Sequence, residues 1–292
     1  MKKILIQLDT DPQPSVFDRV TAIDAGVDEI FAYGGVTLEN VTALIHGAMF
    51  TRGPADLKNT AVFIGGSDVA AGDALLKKVE SLFFGPLRVS VMMDSNGSNT
   101  TAAAAVRAAG RHLDLAGAKA LILGGTGPVG HRAAQLLAGA GAEVLVSSRT
   151  VDRAEATCAA IRQALPKAIG TLRGQAVSQL AESAHTVTLV IAAGAAGVQF
   201  SKADQWQSFP NLRVAIDLNA VSPVGLEGLA ITAKGIVQPP TGSRLHDLFC
   251  YGALGVGGEK MKLHKTAVAR LFESNSQILR TESIYEIARA MG

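Results

Sequence analysis

Residues 119–149, KALILGGTGPVGHRAAQLLAGAGAEVLVSSR, limit what this chain can fold into more than any other stretch. An apolar run from Ala120 to Leu123 breaks into glycines, resumes at helical spacing to about Leu137, and returns to a second apolar run, Val144 to Val146. Strand, tight loop, helix and strand within about 30 residues make one β-α-β unit, the building block of parallel sheets. Gly125, Gly127 and Gly130 fall at the G-x-G-x-x-G spacing between the first strand and the helix. At that spacing the first glycine permits the turn, the second lets backbone approach a pyrophosphate, and the third lets the helix pack against the strand. The helix N-terminus then offers free N–H groups and the positive end of its dipole to the phosphates. These glycines are therefore expected to bind a dinucleotide.

The end of the second strand indicates which dinucleotide. A site for NAD usually places an acid about 20 residues after the motif, where it accepts hydrogen bonds from the ribose 2′-hydroxyl. This chain reads Ser147, Ser148, Arg149 and Thr150 there, with no carboxylate before Asp152. One guanidinium and three hydroxyls suit a 2′-phosphate, so NADP is the expected cofactor.

Before this unit, the first 97 residues repeat a strand-then-helix rhythm. Strands are expected at Ile4 to Leu8, Ile30 to Tyr33, Ala61 to Ile64 and Val89 to Met93, with a helix that Pro12 and Pro14 are placed to begin and Gly26 ends, and helices at Leu38 to Met49 and Asp68 to Phe83. Four strands alternating with helices imply a mostly parallel sheet covered on both faces. After the fourth strand, DSNGSNTT packs small polar residues ahead of an alanine-rich helix. One or two such residues suffice to cap a helix. The six residues Asp94, Ser95, Asn96, Ser98, Asn99 and Thr100, at the carboxyl end of a strand where open α/β sheets bind ligands, point to a site.

Beyond the nucleotide unit, residues 151–165 read as a helix, and TVTLVIAAG and LRVAIDLNA as two further strands of the same sheet. The nicotinamide half of a dinucleotide lies over such later strand ends. That directs attention to Ala193 and Gly194, and to Asp217, Asn219 and Ala220. Near the C-terminus, YGALGVGG is expected to be a flexible glycine-rich turn leading into a helix, on which Lys260 and His264, four apart, share a face.

Composition narrows the function classes. Of 292 residues, 48 % are apolar and 18 % charged, which suits packed α/β domains of ordinary size. A net charge of +2 without a basic run argues against nucleic acid as a partner. No apolar run approaches the ~20 residues of a membrane span, and the opening residues lack a signal-peptide pattern. Cys158 and Cys250 are far apart and share no metal-type spacing with histidine, so they are expected to be free thiols in a reducing compartment. A cytoplasmic protein without a structural metal is expected.

Several segments together resemble the NADP-dependent methylene-tetrahydromethanopterin dehydrogenases of methylotrophic bacteria, relatives of the methylene-tetrahydrofolate dehydrogenases. They are QLDTD (7–11), PSVFD (14–18), FTRG (50–53), FIGGSD (63–68), FFGPLRVS (83–90), DSNGSNTTAAA (94–104), GTGPVG (125–130), GALGVGG (252–258) and KLH (262–264). The resemblance implies an α/β protein with a smaller N-terminal substrate domain, 1–97, to which C-terminal helices in 263–292 return, and a Rossmann NADP-binding domain, 98–262, with the pterin in the cleft between them. It implies homo-oligomers, trimers or multiples of them. It places substrate contacts at Phe17, Asp18, Asp94, Asn96, Lys260 and His264. Cofactor contacts fall at Gly125, Thr126, Gly127, Pro128, Val129 and Gly130, at Ser148 and Arg149, and at Ala193, Asn219 and Ala220. Glu259 departs from the family, which carries an apolar residue there.

Oxidising a methylene bridge between two nitrogens to a methenyl cation moves one hydride to NADP. The nitrogen lone pairs stabilise the cation, so no general acid or base is needed and positioning should dominate. Among Asp18, Lys260 and His264, expected to act at the reacting centre, the carboxylate of Asp18, or that of Asp94, favours the developing charge and Lys260 hydrogen-bonds a pterin carbonyl. Three alternatives share parts of this pattern: a methylene-tetrahydrofolate dehydrogenase, a shikimate-type NADP dehydrogenase, and a non-catalytic NADP(H) sensor.

Overall fold

A computed structural model describes residues 1–165 and 170–291. Two compact units divide the chain: Met1–Thr100 with the residues from Met261 onward, and Thr101–Lys260.

The first unit alternates β1 (Ile4–Asp9), α1 (Val16–Asp24), β2 (Glu29–Tyr33), α2 (Val41–Phe50), β3 (Thr60–Gly65), α3 (Val69–Ser81) and β4 (Ser90–Met93), after which α4 (Ser98–Gly110) begins. Side-chain caps fix two of the helix starts: Ser15 accepts from the Asp18 N–H at 3.2 Å, and Asp68 from the Ala71 N–H at 3.0 Å. In the sheet, β3 lies between β1 and β4, and all three pair in parallel. Every residue of β3 and β4 is buried, so both read as continuous rather than alternating strands. Edge strand β2 is only partly covered, leaving Phe31 and Tyr33 exposed.

The second unit contains β5 (Lys119–Leu123), α5 (Pro128–Gly139), β6 (Glu143–Ser148), α6 (Val151–Ala164), β7 (Thr171–Ala176), α7 (Leu180–Ser183), β8 (Leu189–Ala192), α8 (Ala203–Trp206), β9 (Val214–Asp217), β10 (Lys234–Gln238) and β11 (Leu248–Tyr251). Its seven strands run in the order β10-β11-β9-β8-β5-β6-β7. Only β10 is antiparallel, paired to β11. This is the α/β Rossmann arrangement expected from the sequence. Central strands β8 and β9 are wholly buried, and Trp206 closes the core beside them, its indole N–H donating to the Glu227 carbonyl at 3.0 Å.

α9 (Ala253–Arg270) begins in the second unit and ends in the first, which β12 (Ile278–Leu279) and α10 (Thr281–Ala290) complete. β12 adds a fifth parallel strand beside β4. The expected flexible turn at residues 252–258 is instead the start of α9. Gly255 is packed so closely that a Cβ there would fall 1.8 Å from the Ala233 carbonyl oxygen, and one on Gly252 would fall 2.2 Å from that of Ala230. Those two glycines answer to packing, not to a turn.

Near the end of α4, the ring of His112 stacks on Phe249 with centroids 3.8 Å apart, and its Nε2 lies 2.6 Å from the Tyr251 hydroxyl. Desolvation, then the charge of neighbouring Arg111, hold its pKa below the usual 6.5. A depressed histidine pKa means that the unfolded chain binds the proton more readily. The associated stability is thus present above about pH 6.5 and is lost as pH falls towards the folded-state value. Urea unfolding between pH 7.5 and 5 should therefore show a smaller acid loss for His112→Gln than for the wild type. Identical losses would show that His112 carries none of it.

Candidate functional site

In the second unit the strand ends meet at a glycine cradle. Gly124, one residue before the recognised triplet, holds the turn itself: its φ is +69°, and a Cβ there would lie 2.7 Å from the Gly194 Cα. Sequence reasoning assigned that turn to Gly125. The Gly124–Gly125 doublet was the signal that it missed. Gly125 instead lacks room, since a Cβ would meet the Val146 side chain at 2.7 Å, while at Gly130 a Cβ would meet the Gly124 carbonyl oxygen at 2.6 Å. The first turn of α5 is thereby pressed against the loop. Pro128 opens α5 after Gly127, which provides no side-chain cap. That leaves the N-terminal end of the helix dipole to an anion.

At the end of β6, the Ser148 hydroxyl lies 3.5 Å from that of Thr126 and Arg149 is exposed. Val129 and Ala193 are partly covered and Ala220 is exposed. The arrangement fits a dinucleotide whose pyrophosphate needs bare backbone and whose ribose phosphate needs a cation. Asn219, by contrast, is 5 % exposed, and its amide is occupied within its own loop.

In the first unit the ends of β3 and β4 gather a second group. Asp94, buried after β4, accepts from the backbone N–H groups of Asn99 and Thr100 at 2.9 and 3.0 Å and from the Thr100 hydroxyl at 2.6 Å. It thereby fixes the start of α4. His264 of α9 stands with Nδ1 3.4 Å from Asp94 Oδ2, an ion-pair separation without hydrogen-bond geometry. Its ring is 1 % exposed, sits 5.6 Å from Phe63 and meets Phe17 edge-on at 6.2 Å. Asp18, on the first turn of α1, reaches the same strand ends, with Oδ2 3.4 Å from the position of a Cβ on Gly65. Phe17, Asp18, Asp94 and His264 are thus brought together.

The polar segment after β4 is used chiefly by the fold. The Ser95 hydroxyl donates to the Gly65 carbonyl, that of Ser98 to the Ser95 carbonyl, and the Asn99 amide to the Met93 carbonyl while accepting from Thr281. Asn96 differs. It is exposed, in the left-handed region at φ +56°, with its N–H donating to Gly66 at 2.7 Å.

A family model described as methylene-tetrahydromethanopterin dehydrogenase, N-terminal, matches residues 16–96. The bifunctional protein MdtA of Methylorubrum extorquens is 42% identical over 294 residues, covering 99% of each chain. The chain belongs to the methylene-tetrahydromethanopterin dehydrogenase family. A second relative from that organism, an NAD(P)-dependent methylenetetrahydromethanopterin dehydrogenase, is 31% identical and covers 98% of each chain. Among solved structures, quinate dehydrogenase from Corynebacterium glutamicum in complex with NAD aligns over 99% of both chains with a TM-score of 0.51 at 12% identity, a likeness of fold.

Glu259 has a local role. Its carboxylate pairs with Arg107 and, at 2.9 Å, with Arg111, joining α9 to α4 within the second unit. Lys260 follows it, half-covered, one helical turn before His264.

Proposed function

We propose that this protein oxidises methylene-tetrahydromethanopterin to the methenyl form by hydride transfer to NADP. The observation that carries the substrate is the nearly full-length similarity, at 42% and 31% identity, to two relatives from Methylorubrum extorquens, one of them named for this dehydrogenation. The cofactor choice rests on the end of β6, where Ser148 and Arg149 stand in place of an acid.

The residues divide the work. NADP, when bound, accepts the hydride. The bare backbone of Gly125, Gly127 and Gly130 with the first turn of α5 holds the pyrophosphate, Thr126 and Ser148 offer hydroxyls, and Arg149 holds the 2′-phosphate. Phe17 presents an aromatic face to the pterin and Lys260 donates to a pterin carbonyl. Asp94 already accepts three buried hydrogen bonds. Asp18, half-buried at the same strand ends, is the carboxylate assigned to the developing methenyl cation. His264 and Asn96 shape the pocket rather than transfer protons, because the reaction transfers none. The two buried thiols suit a cytoplasmic enzyme, and the exposed apolar side chains of α1 and β2 suit a homo-oligomer.

The test is NADP reduction with methylene-tetrahydromethanopterin and methylene-tetrahydrofolate side by side. Activity with both is compatible with one pocket, with higher efficiency expected for the methanopterin. Turnover with the folate alone would overturn the substrate, and no turnover with either would overturn the function. Arg149→Ala should weaken NADP by about 1.5–3 kcal/mol, the loss expected for a charge-assisted hydrogen bond, and leave NAD nearly unchanged. Equal losses for both cofactors would remove Arg149 from 2′-phosphate recognition.

A further inference from the structure

We infer that Asp217 and Asn219 are positioning residues that brace the loop beneath the nicotinamide half of the cofactor. The inference rests on the dinucleotide reading of this site. Asp217 ends β9 and is 1 % exposed. Its Oδ1 accepts from the Asn219 N–H at 3.0 Å and its Oδ2 from the Leu226 N–H at 2.7 Å. One carboxylate therefore ties both ends of the loop 218–226. Gly225 lies directly against it, where a Cβ would stand 3.0 Å from Oδ1 and from the Ala192 Cβ, closer than ordinary contact. Burial is the larger influence and raises the Asp217 pKa above its usual value, while the backbone N–H groups of Leu226, Asn219 and Gly225 oppose it by favouring the carboxylate that accepts from them.

Asn219 repeats the device inside the loop. Its Oδ1 accepts from the Val221 N–H at 2.9 Å, and its Nδ2 donates to the Pro223 carbonyl at 3.1 Å. Both ends of the amide are engaged with backbone. The side chain that the sequence offered as a cofactor ligand thus shapes the loop that carries Ala220 and the exposed Val221.

The loop is also packed in series with the phosphate cradle. The Phe200 N–H donates to the Gly225 carbonyl at 2.8 Å. The Phe200 ring stands where a Cβ on Gly194 would come within 2.3 Å, and Gly194 in turn abuts Gly124. Displacement at Asp217 therefore moves the ends of β8 and β9, over which the nicotinamide half lies. The Ser148–Arg149 end of β6, which takes the adenosine half, lies beyond β8 and β5 in the sheet.

That asymmetry supplies the test. Dissociation constants for NADP and for 2′,5′-ADP, the half without nicotinamide, are measured by titration calorimetry on wild type, Asp217→Asn and Asn219→Ala, each with its thermal midpoint. NADP should weaken about tenfold in both variants, equivalent to roughly 1.4 kcal/mol, while 2′,5′-ADP stays within about twofold. A merely structural loss would weaken both ligands together, and that result, or no change for either, would overturn the inference. Should Asp217→Asn not fold, Asn219→Ala decides by the same split. Failure of the wild-type protein to bind either nucleotide would instead overturn the dinucleotide reading itself.

Discussion

Replacing Asp94 with alanine is expected to lower the unfolding free energy by about 2–4 kcal/mol. Three donors, the N–H groups of Asn99 and Thr100 and the Thr100 hydroxyl, would be left buried without their acceptor. Each such orphan costs about 1–3 kcal/mol before the site relaxes, and loss of a helix cap alone costs about 0.5–2. Asp94→Asn retains one acceptor oxygen and should lose about 1 kcal/mol; both variants lack the charge, so the difference between them reports the retained acceptor. Urea unfolding at neutral pH measures both. A loss below about 0.5 kcal/mol for alanine, the range of ordinary surface substitutions, would show that the carboxylate does not hold α4.

The second large effect lies at Gly130. A Cβ there would stand 2.6 Å from the Gly124 carbonyl oxygen and 2.8 Å from the Gly125 Cα, both backbone atoms that cannot turn aside. Gly130→Ala must therefore push α5 off the loop that holds the pyrophosphate. We expect NADP to bind about 100-fold more weakly, roughly 2.7 kcal/mol, with the fold retained. Gly139 in the same helix is the control: its Cβ position has only the Leu165 side chain nearby, at 3.8 Å. Alanine there should leave binding unchanged and stabilise the helix by roughly 0.5–1 kcal/mol. Equal binding by the two variants would contradict the close-packing account of the motif.

How much of this was legible in the sequence depended on what each signal reports. Strands buried on both faces, such as β3, β5, β8 and β9, appear as unbroken apolar runs and were readable. The edge strands β7, TLRGQA, and β10, KGIVQ, were not. Both are exposed along much of their length, and Arg173 and Lys234 interrupt the apolar pattern. Pair strand β12 has two residues and rests on β4, a contact far apart in sequence.

Glycine was the most ambiguous residue. In GGTGPVG it marked backbone approach correctly, although the left-handed turn belongs to Gly124; in YGALGVGG it suggested a flexible turn where helix α9 is pressed against residues 230–234. Sequence shows that bulk is unwelcome, not whether a ligand or the protein's own backbone excludes it. The site residues illustrate the same limit. DSNGSNTT was recognisable as unusual, but the hydrogen bonds that join Ser95 to the distant Gly65 carbonyl and Thr281 to Asn99, and the engagement of Asn219 with its own loop, are properties of the folded path.

The central claim is that a hydride passes from the methylene carbon of the reduced pterin to NADP. Its most direct test is a single turnover with methylene-tetrahydromethanopterin deuterated at that carbon, followed by isolation of the dinucleotide. The account predicts deuterium at C4 of the reduced nicotinamide in step with the methenyl absorbance. Reduced dinucleotide without the label, or methenyl formation without dinucleotide reduction, would contradict it.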